Sequence, residues 1–244
     1  MTERQAVIEL QNQGSTKMQD NKTLPTQATL SDIPLIQHIA DIAFRDTYKE
    51  ILSPDQLEYM MKWMYATESL ERQMTVESNT FFLAGKNGYA SVRPDGTTPD
   101  GLPLFHLEKI YVLPEQQGKG IGMALFEKVK DFVTCKAGGH AMMELNVNRH
   151  NRALGFYQHL GMSIARSGDF HIGNGFYMND YIMQLKLWLP FQWIPPLCLE
   201  FKLRTITADK QFAQAGFGDV TNHLHVFYLA HGVMHRYRLR HYAS

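Results

Sequence analysis

What this chain lacks narrows what it can be. Its 244 residues include only two cysteines, Cys135 and Cys198. That is too few for a disulfide framework, and it points to a reducing, cytoplasmic setting. Lys and Arg number 24 against 24 Asp and Glu, and this zero net charge gives no sign of a general affinity for nucleic acid. No apolar run reaches the roughly 20 residues needed to span a bilayer. The polar N-terminus also lacks the apolar segment of a secretory signal. Familiar site motifs are missing too. A Walker loop needs four residues between its first glycine and Gly-Lys-Ser/Thr, and none is present; nor is the dinucleotide pattern G-x-G-x-x-G. His231 and His235 have i, i+4 spacing, but Gly232 stands where a zinc-protease helix carries its Glu, so no metal site is expected there.

What is present centres on Gln117-Gly118-Lys119-Gly120-Ile121-Gly122. Before it, residues 104–113 read as a strand closed by Pro114. After it, residues 123–136 read as a helix, with Leu125, Phe126, Val129, Phe132 and Val133 at helical spacing. Strand, glycine-rich turn and helix together present unpaired backbone N–H groups to an anion. Glycines allow close approach, and the helix N-terminus adds a favourable dipole. Lys119 adds a mobile positive charge. Some such turns serve only to reverse the chain.

The rest of the chain divides into zones. Residues 1–25 are polar, with few core-forming residues, and read as a poorly ordered leader. A short strand is expected near 26–30. Ser31 or Asp32 then caps a helix with Pro34 in its first turn and an apolar face of Leu35, Ile36, Ile39, Ile42, Ala43 and Phe44. Ser53 caps a second helix starting at Pro54, and residues 67–72 suggest a third. The period then changes to that of a hairpin, with strands at 80–84 and 89–92 around Gly85-Lys86-Asn87-Gly88. A loop follows at 94–101, and further strands are expected at 142–147, 163–166 and 177–186. The pattern predicts an α/β fold, a mixed sheet around one core. Cys135 falls on a predicted helix, where packing is favoured over a nucleophilic role.

Two signatures carry a resemblance. Gln117, Gly120 and Gly122 fit Q/R-x-x-G-x-G/A. Further on, Asn148-Arg149-His150-Asn151-Arg152-Ala153-Leu154-Gly155-Phe156-Tyr157-Gln158-His159-Leu160-Gly161-Met162 fits V-x-x-x-N-x-x-A-x-x-F-Y-x-x-x-G-F. Here Ala153 lies two residues after Asn151, and Met162 replaces the closing Phe. In this order the pair resembles the GNAT superfamily of acyl-CoA-dependent N-acetyltransferases. Residues 43–48, 53–57, 68–71 and 173–183 narrow the likeness to PaiA-type spermidine/spermine N-acetyltransferases, over about 26–187.

The resemblance implies a mostly antiparallel central sheet flanked by helices, with a V-shaped split between its two central strands. It also implies acetyl-CoA as co-substrate, a small-molecule amine acceptor, no nucleic-acid or membrane partner, and a homodimer. Gln117, Gly118, Lys119, Gly120, Ile121 and Gly122 would bind the pyrophosphate. A bulge would splay the strand ending at Val112, and a backbone N–H near Tyr111 or Val112 would face the thioester carbonyl. Asn151 would hold the cofactor or cap the following helix. Tyr157 would donate a proton to the departing thiolate or simply pack beside Phe156. Glu108, set on the strand face away from Leu107 and Lys109, would be the base or a salt-bridged surface group; His106 and Glu144 are alternatives. Asp46, Glu50, Asp169 and Asp180 would line a channel for a polyamine. Phe170, Phe176, Tyr177 and Tyr181 would add cation–π contacts or core. A protein N-terminus or lysine is a second acceptor class, and a CoA-binding module without catalysis a third reading. Relatives end near Leu187. The extension 188–244, with six Lys/Arg, three Asp/Glu and five of the eleven histidines, is therefore expected to lie outside the core, as an unstructured or non-native tail, a basic partner-binding segment, or a further subdomain.

Overall fold

The computed structural model describes residues 24–188. The expectations for the leader, for nearly all of the C-terminal extension, and for Cys198, His231 and His235 lie outside the described residues.

Helix α1 (Ile33–Tyr48) follows a 3-10 turn (Leu30–Asp32) whose preceding residue Thr29 donates its N–H to Asp32 Oδ2 at 2.8 Å. Its buried stripe is Ile33, Ile36, Ile39, Ala40, Ala43, Phe44 and Tyr48, the 3.6-residue period of an amphipathic helix. Ile42, expected on that face, is exposed because at 3.6 residues per turn it falls nearly opposite the centre of the stripe. Ser53 Oγ accepts from Gln56 N at 3.2 Å and starts α2 (Pro54–Tyr65), which leads directly into α3 (Thr67–Thr75).

Seven strands then form one sheet in the order β1-β2-β3-β4-β5-β7-β6. They are β1 (Thr26–Gln27), β2 (Thr80–Leu83), β3 (Gly88–Thr97), β4 (Pro103–Val112), β5 (His140–Asn148), β6 (Ser163–Gly173) and β7 (Phe176–Trp188). All neighbours are antiparallel except β4 and β5. Strand β3 runs on to Thr97 and pairs with Pro103, so the expected loop at 94–101 is mostly hairpin. Its polar, exposed residues carry no apolar alternation to betray a strand. The same holds for β6, which extends seven residues past the predicted end at 166.

Helix α4 (Ile121–Ala137) covers one face of the sheet, and a short α5 (Leu154–His159) lies on the path from β5 to β6. On α4's side, Leu125, Phe126, Val129 and Val133 pack with Phe82, Val92, Leu107, Met143 and Leu145. Helices α1–α3 cover the other face, where Ile36, Ile39, Phe44, Met60 and Leu70 pack with Phe81, Leu83, Tyr89 and Met178. Cys135 lies on α4 and is not a free thiol. Among the described residues, no helix is long and apolar enough to cross a membrane.

Candidate active site

The site begins with a register slip. Ser91 pairs with Lys109 and Val92 with Leu107, so Glu108 is an extra residue opposite no partner, a β-bulge. The bulge breaks strand alternation. Leu107 packs against α4, whereas buried Lys109 crosses to the other side and donates to Gln73 Oε1 of α3 at 2.8 Å. Glu108 therefore cannot face away from both neighbours, as simple alternation predicted.

On its other edge, β4 pairs with β5 only at Leu104–Met142, Phe105–Met143 and His106–Glu144. Beyond His106 the two strands run on without pairing to each other, and the sheet opens as a V. A cleft of about 460 Å³ fills the opening. Residues 107–112 of β4 and 145–147 of β5 form its walls, the glycine turn lies at one end, and Tyr48, Asn151, Phe156 and Tyr157 close it.

At the turn, Gly118 (φ 75°) and Gly120 (φ 78°) have left-handed backbone, a conformation that side-chain-bearing residues rarely adopt. Gly120 is the N-cap of α4, and the helix's first backbone bond runs from Ala124 N to Gly120 O at 3.0 Å. The N–H groups before Ala124 have no acceptor within the helix. Gln117 Nε2 donates back to Val112 O at 3.2 Å, tying the turn to the end of β4. Gln117, Gly118, Gly120, Ile121 and Gly122 all line the cleft. Lys119 does not; it is exposed and donates to Gln116 Oε1 at 3.1 Å.

Of the remaining predicted residues, Glu108, Tyr111, Val112, Asn151 and Tyr157 line the same cleft. Asn151 Oδ1 accepts from Ala153 N at 2.8 Å, so it organises the turn into α5. Tyr157 is buried, 8% exposed. Burial, with a contribution from nearby Tyr48, pushes its phenol above the ordinary range. Tyr48 is buried and Tyr111 half-buried, and both phenols are raised for the same first reason.

The acidic groups are mostly spoken for. Glu108 Oε1 accepts from Arg93 Nε at 2.5 Å. Burial opposes ionisation of Glu144, but hydrogen bonds from Arg166 and Gln184 outweigh it and leave its carboxyl lowered. Burial pushes the His106 imidazole below its ordinary value. Asp46 accepts from Lys49 and Arg152, and Asp169 from Arg149 and Asn179. Glu50 is exposed on the turn after α1. Arginines have thus paired with Asp46 and Asp169, two of the four acidic residues expected to line a channel for a polycation. Of the aromatic residues, Phe170 and Tyr177 are exposed, Phe176 stands 5.6 Å from Tyr59, and Tyr181 lies under Arg149.

Asp180 differs. It is 5% exposed, Asn146 Nδ2 donates to its Oδ2 at 3.4 Å, and its Oδ1 has no partner. Burial pushes its carboxyl up to about 6, against the opposing effects of Asn146 and Arg149. Sequence reasoning missed Asn146, Tyr48 and Arg93 as neighbours of the site. Nothing local marks them, since they are brought in by strand register and by α1 packing on the sheet.

Over residues 48–184 the sequence matches the family described as acetyltransferase (GNAT) domain. Among solved structures, it is similar to the PaiA N-acetyltransferase of Thermoplasma acidophilum, determined in complex with coenzyme A. The two share 20% identity, with a TM-score of 0.52 over 66% of this chain and 97% of that one. It is also similar to a GCN5-related N-acetyltransferase (aminotransferase, class II) of Rhodopseudomonas palustris, at 14% identity and a TM-score of 0.56 over 69% and 98%. At such identities the two likenesses show the fold alone.

Proposed function

The chain belongs to the acetyltransferase (GNAT) domain family, and from that premise we propose that it moves an acetyl group from acetyl-CoA to a primary amine by direct attack in a ternary complex. One observation carries this reading: the glycine turn, the unpaired edge of β4 and the Tyr157 phenol all border one cleft in the split sheet. The residues present suit the co-substrate. The turn offers a string of N–H groups at a helix start, where an anionic pyrophosphate is favoured. The edge of β4 beyond His106 offers ladder positions that an amide-bearing pantetheine arm can take.

When bound, acetyl-CoA supplies the activated acyl group. The chain's residues then have distinct tasks. Residues 117–122 hold the pyrophosphate, with the Gln117 side chain fixing the turn against Val112 rather than reaching the ligand. A backbone N–H near Tyr111 or Val112 faces the thioester carbonyl, where negative charge grows during attack. Asn151 shapes the loop leading into α5 and so places Tyr157. As the C–N bond forms and the C–S bond breaks, the ammonium gives up two protons, and one of them ends on sulfur. Tyr157 delivers that proton, and its buried phenol stays protonated across the working pH range. Glu108 accepts from the amine with the oxygen that Arg93 does not hold.

A peptide N-terminus is the second acceptor class, favoured by the arginine pairing of Asp46 and Asp169, which leaves little negative lining for a polycation. Calorimetric titration with acetyl-CoA, followed by thiol release on adding spermidine, benzylamine or a short unblocked peptide, tests the reading. Binding with amine-dependent thiol release is expected. Failure to bind acetyl-CoA at all would sink it.

A further inference from the structure

A buried carboxylate without a full set of partners weakens a fold, so its retention asks for a use. Asp180 on β7 is such a group. Its register partners are Asn148 of β5 and Gly168 of β6, and the second of these brings no side chain. The groups facing it are few. Arg149 attracts it; its Nη2 donates to Gly168 O and Asp169 Oδ1, while its buried Nε has no partner. Tyr48 of α1 feels its charge, and Asn148 Oδ1 is turned toward His150 N. Only Asn146 donates to it. Asn146 belongs to a central strand yet is exposed, because the V opens beside it, and it lines the cleft.

An ionised carboxylate accepts and cannot donate, so it selects one orientation of the Asn146 amide: NH2 inward to Asp180, carbonyl oxygen outward to the cleft. We propose that Asn146 receives the acceptor's amino group, its Oδ1 accepting a substrate N–H, and that Asp180 is the positioning residue that orients this amide and places a single negative charge behind it. The inference rests on the amine-acetyltransferase reading and adds the acceptor class: an amine with one positive charge at its reacting end. Around it, the carboxylates of Asp46, Asp169, Glu144 and Glu108 are each matched by an arginine. Of the other acidic residues expected to serve a second ammonium, Asp46 and Asp169 are already paired, which leaves Glu50, exposed on the turn after α1. Protonation reverses the arrangement. A neutral Asp180 can donate to Asn146 Oδ1, turning the NH2 group outward against the incoming amine. Asp180 protonates as pH falls through about 6, so amine affinity should fall with it.

The test is steady-state thiol release at saturating acetyl-CoA with benzylamine and spermidine as probes. It uses the full chain and the variants Asn146→Ala and Asp180→Asn, with acetyl-CoA affinity measured by calorimetry. Both variants should raise KM for benzylamine by about tenfold or more, the worth of a hydrogen bond to a charged group, with acetyl-CoA affinity unchanged. Asp180→Asn should also erase the inflection near pH 6 in the benzylamine profile and raise Tm at pH 7, whereas a merely structural aspartate would lower it. Benzylamine KM within twofold of the parent in both variants overturns the proposal. So does a kcat/KM for spermidine more than about tenfold above that for benzylamine, since a polycation would then be the better fit. Acetyl-CoA binding with no thiol release on either amine would overturn the amine reading itself, and this assignment with it.

Discussion

At the scale of single residues, Tyr157 and Asp180 pose opposite cases. Tyr157 packs edge-on against Phe156 at 5.4 Å, and its ring would remain in place if only the hydroxyl were removed. Tyr157→Phe should therefore lower kcat by about 10²-fold while leaving acetyl-CoA affinity within twofold, as measured by single-turnover thiol release and calorimetry. A packing role alone would leave kcat intact. For Asp180 the sign of the pH effect is fixed by burial. Its folded-state carboxyl is raised from 3.8 to about 6, so the native state binds the proton more tightly than the unfolded chain does. Its contribution to stability is present below pH 4 and is lost as pH rises through about 6. The loss is on the order of 2–3 kcal/mol. Denaturant midpoints at pH 4.5 and 7.5 should thus differ less for Asp180→Asn than for the parent. The residue types at these positions were readable from the chain. Asp180's isolation was not, because it depends on which arginines the neighbouring strands bring and on a glycine facing it from β6.

At the scale of elements, two glycines separate close approach from open space. A Cβ on Gly88 would lie 2.7 Å from Tyr111 O, a backbone atom between paired strands. Gly88→Ala must therefore push β3 from β4 and should cost about 1–3 kcal/mol, read as a shift in denaturant midpoint. A Cβ on Gly122 would lie 3.3 Å from Phe156 Cζ, the tip of a side chain that can turn. There the gain in helix propensity, about 1 kcal/mol, offsets the contact. Gly122→Ala should be nearly neutral in stability and instead raise KM for acetyl-CoA, because Phe156 is displaced into the cleft. The helix starts, the glycine turn and the strand leading into it were legible in the sequence, since capping residues, left-handed glycines and apolar periods are local. The bulge at Glu108 was not. It exists only as a mismatch between β3 and β4, so a reading that assumed alternation placed Leu107 and Lys109 on one face when they lie on two.

At the scale of the whole molecule, the sheet has apolar layers on both faces and is split at its centre. The β4–β5 separation leaves the cleft dependent on α4 on one side and on α1 on the other. Any ligand that fills the cleft joins these layers, so acetyl-CoA should raise Tm. At a hundredfold excess over Kd the stabilisation is about 2.7 kcal/mol. Gly120→Val, which forces a branched side chain into a φ of 78°, should abolish that shift while the protein remains folded, as followed by thermal denaturation with and without the ligand. With no net charge on the chain, association should depend on local contacts at the turn rather than on long-range attraction.

By itself the sequence determined the helices, most of the strands along the chain, the glycine turn and the family, because each rests on residues near one another in the chain or on motifs of fixed spacing. Only the tertiary structure decided which carboxylates are free. Arg93, Arg149, Arg152 and Arg166 reach their acidic partners from other strands of the sheet and from the loop before α5. They neutralise Asp46 and Asp169, two of the four residues expected to line a channel for a polycation, together with Glu108 and Glu144. Charge in a folded chain is settled by who stands within hydrogen-bonding distance, and strand register sets that distance. So one buried aspartate behind one exposed asparagine emerges only after the sheet is assembled.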